Sequence, residues 1–141
     1  MENNNSRRKL TKAEMEVMNL LWDGDGGLSI NDVIEQYPDP KPAYTTVATF
    51  LKILEQKGYV EHFKKDGVGR SFYFLPTMTR EKYTTQVLND VKNTLFGNSS
   101  KKLFSFFIQM EQFSDEDIHE LLQMVKLATP TDENYPNTLP Q

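Results

Sequence analysis

Two runs rich in aromatic and β-branched residues, Tyr59-Val60-Glu61-His62-Phe63 and Ser71-Phe72-Tyr73-Phe74-Leu75, interrupt a chain whose other patterned segments carry helical spacing. Lys64-Lys65-Asp66-Gly67-Val68-Gly69-Arg70 joins them. An Asp-Gly pair between strand-like runs is a turn signal, so this stretch predicts one β-hairpin with a basic tip. A single hairpin among helices sets the expected fold class: mostly α with a small β-hairpin.

Three helices are expected before the hairpin. Thr11 and Glu14 stand three apart, as a capping box requires: the hydroxyl satisfies one free N–H at the helix start and the carboxylate another. Ala13, Val17, Leu20, Leu21 and Trp22 follow at mixed helical spacings, and Asp23-Gly24-Asp25-Gly26-Gly27 ends the helix. Ser29 with Asp32 starts a short second helix carrying Ile30, Val33 and Ile34. Tyr37-Pro38-Asp39-Pro40-Lys41-Pro42 is a turn, because its prolines remove donors and fix φ. The third helix is expected from Ala43 to Lys57. There Val47, Phe50, Leu51 and Leu54 fall at i, i+3, i+4 and i+7, one apolar face, and Gly58 stands where a C′ glycine should.

Beyond Pro76 only helices are expected. Thr79 can cap a fourth, with Tyr83, Val87, Leu88, Val91 and Leu95 apolar, before Gly97-Asn98-Ser99-Ser100 breaks it. Lys101 to Gln112 follow as a very apolar segment, and Ser114 with Asp117 precede Ile118, Leu121, Leu122 and Val125. The expected organisation is a flexible basic arm (1–9), a first lobe (10–77), a helical lobe (78–128) and a disordered tail (129–141) with three prolines.

Roughly fifty residues in three helices cannot readily bury Leu103, Phe104, Phe106, Phe107, Ile108 and Met110 unaided. A helix apolar on nearly every side is fully enclosed or lies in an interface. The preferred expectation is an intertwined homodimer through Tyr83, Val87, Val91, Leu95, Leu103, Phe104, Phe106, Phe107, Met110, Ile118, Leu121, Leu122 and Val125. A self-contained three-helix core is the alternative.

Composition narrows the chemistry. A net charge of -4 over 141 residues excludes a strongly basic nucleic-acid coater, though not a local basic patch. The absence of cysteine excludes a disulfide framework, a Cys-type zinc site, an iron–sulfur cluster, a thiol nucleophile and copper-thiolate sensing. No apolar run is long enough for a membrane span, and Met1-Glu2-Asn3-Asn4-Asn5 lacks a signal peptide's apolar core, so a cytoplasmic protein is expected. His62 and His119 have no metal-ligand spacing. Asp115, Glu116, Asp117 and Glu120 suit the positive first turn of a helix better than acid–base catalysis. Gly24, Gly26 and Gly27 lack the spacing of a phosphate loop. No enzyme activity, metal or cofactor is therefore expected, and no small-molecule substrate.

Three short helices and a hairpin match a winged helix-turn-helix, followed here by C-terminal dimerisation helices. A reading helix must be polar on its outer face to enter the major groove. The third helix offers Tyr44, Thr45, Thr46, Thr49 and Lys52 for base edges, with Ala48 among them. Arg7, Arg8, Lys41, Lys64, Lys65 and Arg70 are the candidates for DNA phosphates. Each signal has a plain counterpart: threonine-rich faces are often simply solvated, and charged hairpin tips keep an edge soluble. Lobes of this kind also serve as protein-docking adaptors without specific DNA binding.

Leu10-Thr11-Lys12-Ala13-Glu14-Met15-Glu16-Val17-Met18-Asn19-Leu20-Leu21-Trp22 resembles the opening of the penicillinase-repressor family (BlaI- and MecI-like, with copper-responsive relatives). Tyr44 to Val60 resembles that family's recognition helix, and the likeness continues through the hairpin and, as a pattern, to Lys126. The resemblance implies a homodimeric repressor on operator DNA, with Thr45, Thr46 and Thr49 facing the groove and Lys64, Lys65 and Arg70 in the wing. This chain departs from the family in having Ala48 where a basic residue is frequent and Ile53 where an arginine is. Antibiotic-responsive members are inactivated by a membrane-bound metalloprotease sensor that leads to cleavage at an Asn-Phe bond. The matching position is Phe106-Phe107, without the Asn. Copper-responsive members carry a C-terminal cysteine cluster, which this chain lacks.

Overall fold

The structure, a computed structural model, describes residues 9–67 and 69–128. The arm residues Arg7 and Arg8 and the tail 129–141 lie outside the described residues. In chain order the elements are α1 (Lys12–Asp23), α2 (Ile30–Gln36), α3 (Tyr44–Gln56), β1 (Val60–Lys64), β2 (Phe72–Pro76), α4 (Arg80–Leu95), α5 (Ser100–Met110) and α6 (Asp115–Ala128). The mostly helical class with a single hairpin is what the chain adopts.

Local chemistry accounts for the helix starts. Both reciprocal capping boxes of the first lobe form. Glu14 N–H donates to Thr11 Oγ1 at 3.1 Å while Thr11 N–H donates to Glu14 Oε1 at 3.0 Å, and Ser29 with Asp32 repeats the arrangement. A third box joins Ser114 and Asp117 at the start of α6. By contrast α3 begins after Pro42 with no side-chain cap.

Two compact units divide the chain, the first ending at Leu88 and the second beginning at Asn89. The first thus carries on past residue 77 into α4, because Tyr83 packs back on it. The Tyr83 ring lies 5.8 Å from Trp22 and 5.7 Å, edge-on, from Tyr59. Tyr83, expected at an interface with a second chain, is half-buried against the core of its own first unit. Trp22 Nε1 donates to Met78 O at 2.9 Å, and Arg80 donates to Asp23 at 2.9 Å, with its guanidinium 5.4 Å from the Trp22 ring centre. The end of α1 is therefore fastened to the start of α4.

Val17, Met18, Leu21, Val33, Val47, Leu51, Leu54, Tyr59, Val60 and Phe74 form the core of this unit. Glu14 joins the buried face of α1 although it is charged: only 5% of it is exposed. Lys57 Nζ reaches its Oε1 at 2.7 Å and also donates to Lys9 O at 2.9 Å. Burial raises the Glu14 carboxyl, but the Lys57 hydrogen bond and charge and the Thr11 contacts outweigh it and hold the group below its ordinary value.

In the antiparallel hairpin Val60 opposes Pro76, His62 opposes Phe74 and Lys64 opposes Phe72. Leu28 adds a one-residue third rung: its N–H donates to Phe74 O at 3.0 Å, and Phe74 N–H to Leu28 O at 2.8 Å. That rung needs Gly27, whose φ is +93° and whose missing Cβ would sit 2.9 Å from the Phe63 ring.

The second unit looks different. No residue of α5 or α6, nor of the α4 residues from Asn89 on, is buried. Within the unit, Phe96 packs on Phe106 at 5.6 Å and Phe107 on Phe113 at 6.0 Å. Leu95, Phe104, Phe106, Phe107, Met110, Ile118, Leu122 and Val125 remain exposed. Leu103, Leu121 and Val91 are partly covered. No helix among the described residues is long and apolar enough to cross a membrane.

Candidate nucleic-acid interface

The face of α3 opposite Val47, Leu51 and Leu54 carries the expected reading residues. Tyr44, Thr45, Thr46, Thr49 and Lys52 are all exposed, while Ala48 is partly covered. The helix is held rigidly from behind by three fully buried side chains, so its outer groups have a fixed spacing. Thr49 donates its hydroxyl to Thr45 O at 2.9 Å. Its oxygen then keeps lone pairs outward, which suits a base-edge N–H donor, and its methyl suits a thymine methyl. Thr46 has no hydrogen-bond partner among the described residues, so its hydroxyl is free to donate or accept.

The cations fall into two groups. At the wing, Lys65 lies 4.3 Å from the Tyr73 ring centre and Lys64 5.3 Å from that of Phe72. These rings hold the ammonium groups against the hairpin without neutralising them. Arg70 is exposed and makes no ion pair among the described residues. Lys41 is placed differently. Its ammonium donates to the carbonyls of Ile34, Glu35 and Tyr37 at 3.4, 3.1 and 2.8 Å, which closes the end of α2. Lys41, one of the expected phosphate contacts, is exposed and spends its ammonium donors on these carbonyls.

His62 sits on the hairpin with Nδ1 2.7 Å from Glu55 Oε2 and its ring edge-on to Phe72. Among the described residues no group of three or more His, Cys, Asp or Glu could hold a metal ion. Ser29, Ser71 and Phe72, expected only as a helix cap and strand residues, and Asn31 are gathered by the fold beside Tyr44 and Arg70 around one cleft. With Tyr44 and Arg70 the cleft draws on three separate segments, and no local spacing joins them.

A helical core that presents a bare polar helix beside a cationic two-stranded wing defines a winged helix-turn-helix protein, a class suited to laying one helix in a DNA groove. The penicillinase repressor family matches residues 10–127, and the chain belongs to that family. The penicillinase repressor of Bacillus licheniformis is 26% identical over 119 residues, covering 84% of this chain and 90% of the relative. The methicillin resistance regulatory protein MecI of Staphylococcus aureus is 29% identical over 118 residues, covering 83% and 93%. A solved structure of the peroxide-sensing gene regulator PerR from Streptococcus pyogenes overlaps 48% of this chain, with 18% identity and a TM-score of 0.42.

Proposed function

We propose that the chain is a DNA-binding transcriptional repressor that acts as a homodimer on a palindromic or pseudo-palindromic operator. The observation that carries the reading is the bare polar face of α3, backed by Val47, Leu51 and Leu54 and flanked by the wing cations. Membership of the penicillinase repressor family, with a penicillinase repressor and a methicillin resistance regulatory protein among its relatives, supports it. Thr45, Thr46, Thr49 and Lys52 read base edges, and Lys64, Lys65 and Arg70 meet phosphates, joined by Arg7 and Arg8 from the arm. An acidic chain binds DNA on this scheme because Lys52, Lys64, Lys65 and Arg70 stand on α3 and the wing, so the local charge and not the net charge meets the duplex.

Dimerisation is supported by the second unit, whose α5 and α6 bury nothing and leave Leu127 85% exposed. A two-fold dimer addresses two half-sites one or more helical turns apart, and the second contact is then made at high effective concentration. Cutting or loosening the paired helices ends repression by breaking that linkage. In this reading the cut falls near Phe106-Phe107, on α5, under the control of a membrane-bound metalloprotease sensor.

The test is selection of fragments from the source genome by the full-length protein, then salt titration on the best fragment. The expected result is a two-fold-symmetric site with a steep fall in affinity with salt. Thr46→Ala and Thr49→Ala weaken specific binding more than non-specific binding, whereas Lys65→Ala weakens both alike and flattens the salt slope. Equal losses for all three on every sequence would remove α3 as the reader. No enrichment over random fragments, with the dimer intact, would instead favour a protein-docking adaptor.

A further inference from the structure

Between the foot of the wing and the start of α3 lies a cleft of about 310 Å3 walled by Ser29, Asn31, Tyr44, Arg70, Ser71 and Phe72. Its polar groups are of one kind. No Asp or Glu lines it. The Arg70 guanidinium, the Asn31 amide and the Ser71 hydroxyl have no hydrogen-bond partner among the described residues, and all three residues are exposed. Ser29 Oγ accepts from Asp32 N–H at 3.1 Å, which leaves its own O–H to donate. The remaining walls are apolar, Ile30 and Phe74 with two exposed rings: Tyr44 is 54% exposed and Phe72 46%. Free donors around one cation, beside the open Tyr44 ring and a Phe72 ring that keeps part of its surface exposed next to Lys64 and His62, fit an anion that carries an apolar body on each side.

We propose that this cleft seats one backbone phosphodiester of the bound duplex, with Arg70 neutralising the phosphate and the Tyr44 and Phe72 rings packing on the flanking deoxyriboses. The inference rests on the DNA-reading function proposed above and deepens it. Tyr44 is the first residue of α3 and adjoins Thr45, so the cleft is continuous with the reading face. A duplex whose major groove holds α3 carries its backbone along that rim. Asn31 and the hydroxyls of Ser29 and Ser71 fix the phosphate oxygens, and the contact sets the depth and register of the helix rather than the sequence it prefers. Tyr44 is then a backbone contact, and its removal costs the same on every sequence.

The experiment uses full-length protein and a duplex it selects from random-sequence DNA, prepared with single neutral methylphosphonates along each strand. For the wild type, neutralising one particular phosphate per half-site weakens binding about tenfold. In Arg70→Ala that same methylphosphonate has no further effect, and the slope of log affinity against log salt falls by about 0.9 per half-site. Arg70→Lys keeps the slope. Asn31→Asp and Tyr44→Ala lower affinity by one factor on selected and random duplexes alike. These side chains are exposed, so circular dichroism and sedimentation of the variants match the wild type.

A wild-type protein that binds DNA with a steep salt slope, which Arg70→Ala leaves unchanged while Lys65→Ala flattens it, would overturn the cleft and leave the repressor reading intact. A larger loss for Tyr44→Ala on the selected duplex than on random DNA would also overturn it, by returning Tyr44 to the bases. A wild-type protein that binds no duplex would remove both proposals.

Discussion

Replacing Glu14 by Gln tests whether a buried charge, and not only a helix cap, holds the first unit together. Glu14 Oε1 accepts from Lys57 Nζ at 2.7 Å and from Thr11 N–H at 3.0 Å. A glutamine carbonyl can still accept both, so the cap survives. What disappears is the charge assistance of the Lys57 bond. Charge-assisted bonds contribute about 1.5–3 kcal/mol and neutral ones about 0.5–1.5 kcal/mol, so the difference is about 1–1.5 kcal/mol. The Lys57 side chain is 22% exposed and keeps its bond to Lys9 O, so it is not left as an orphaned buried cation. The full penalty for breaking an enclosed pair therefore does not apply. Because the folded carboxyl lies below its ordinary value of 4.5, its stabilisation is complete above that pH and fades as pH falls through the folded value. Thermal melts followed by fluorescence of Trp22, the chain's single tryptophan, report on the first unit alone. At pH 7 the variant is expected to melt several degrees lower, at about 4–8 °C per kcal/mol for a unit of this size. The gap should narrow as pH falls below 4.5 and wild-type Glu14 takes up its proton. Equal melting at pH 7, or a gap that does not narrow on acidification, would refute the assignment of the charge.

Two further outcomes follow from the geometry. Gly27→Ala combines a positive φ with a Cβ 2.9 Å from the Phe63 ring, so it should destabilise the first unit by about 2–4 kcal/mol, read by urea unfolding on the Trp22 signal. Phe107→Asp places a carboxylate on the exposed apolar side of α5, and sedimentation should show monomers while Trp22 fluorescence still reports a folded first unit. A stable dimer of that variant would rule out this interface.

The sequence announced its elements well where the cause is local. Three capping boxes could be read from a hydroxyl and an acid three residues apart, and α3 was legible from its i, i+3, i+4, i+7 apolar face to within a residue at each end. It was less informative where burial crosses residue classes. The buried stripe of α1 is Glu14, Val17, Met18 and Leu21, which has helical spacing throughout, but its first member is charged and drops out of any apolar pattern. Its partner Lys57 lies 43 positions away. The Leu28 rung could not be foreseen because a strand of one residue has no period. Tyr83 had the spacing of an interface residue, and only the tertiary meeting with Trp22 and Tyr59 assigns it to the first unit. The bare face of α3 was legible from helical geometry alone. The cleft beside it was not, because its walls come from three segments that meet only after folding.

The fastening between α1 and α4 also has a consequence during synthesis. Trp22 finds its acceptor on Met78, 56 positions later, and Asp23 finds Arg80, 57 positions later. At 5–20 residues per second a ribosome takes roughly 3–12 s to supply the second half of this clasp after Trp22 is made. For most of that interval Val17, Met18 and Leu21 are on a nascent chain that lacks some of their core partners, the last of which is Phe74. A chain truncated before Met78 would hold every buried core residue but not the clasp, so the end of α1 should fray and the fragment should be cut by proteases sooner than the full unit.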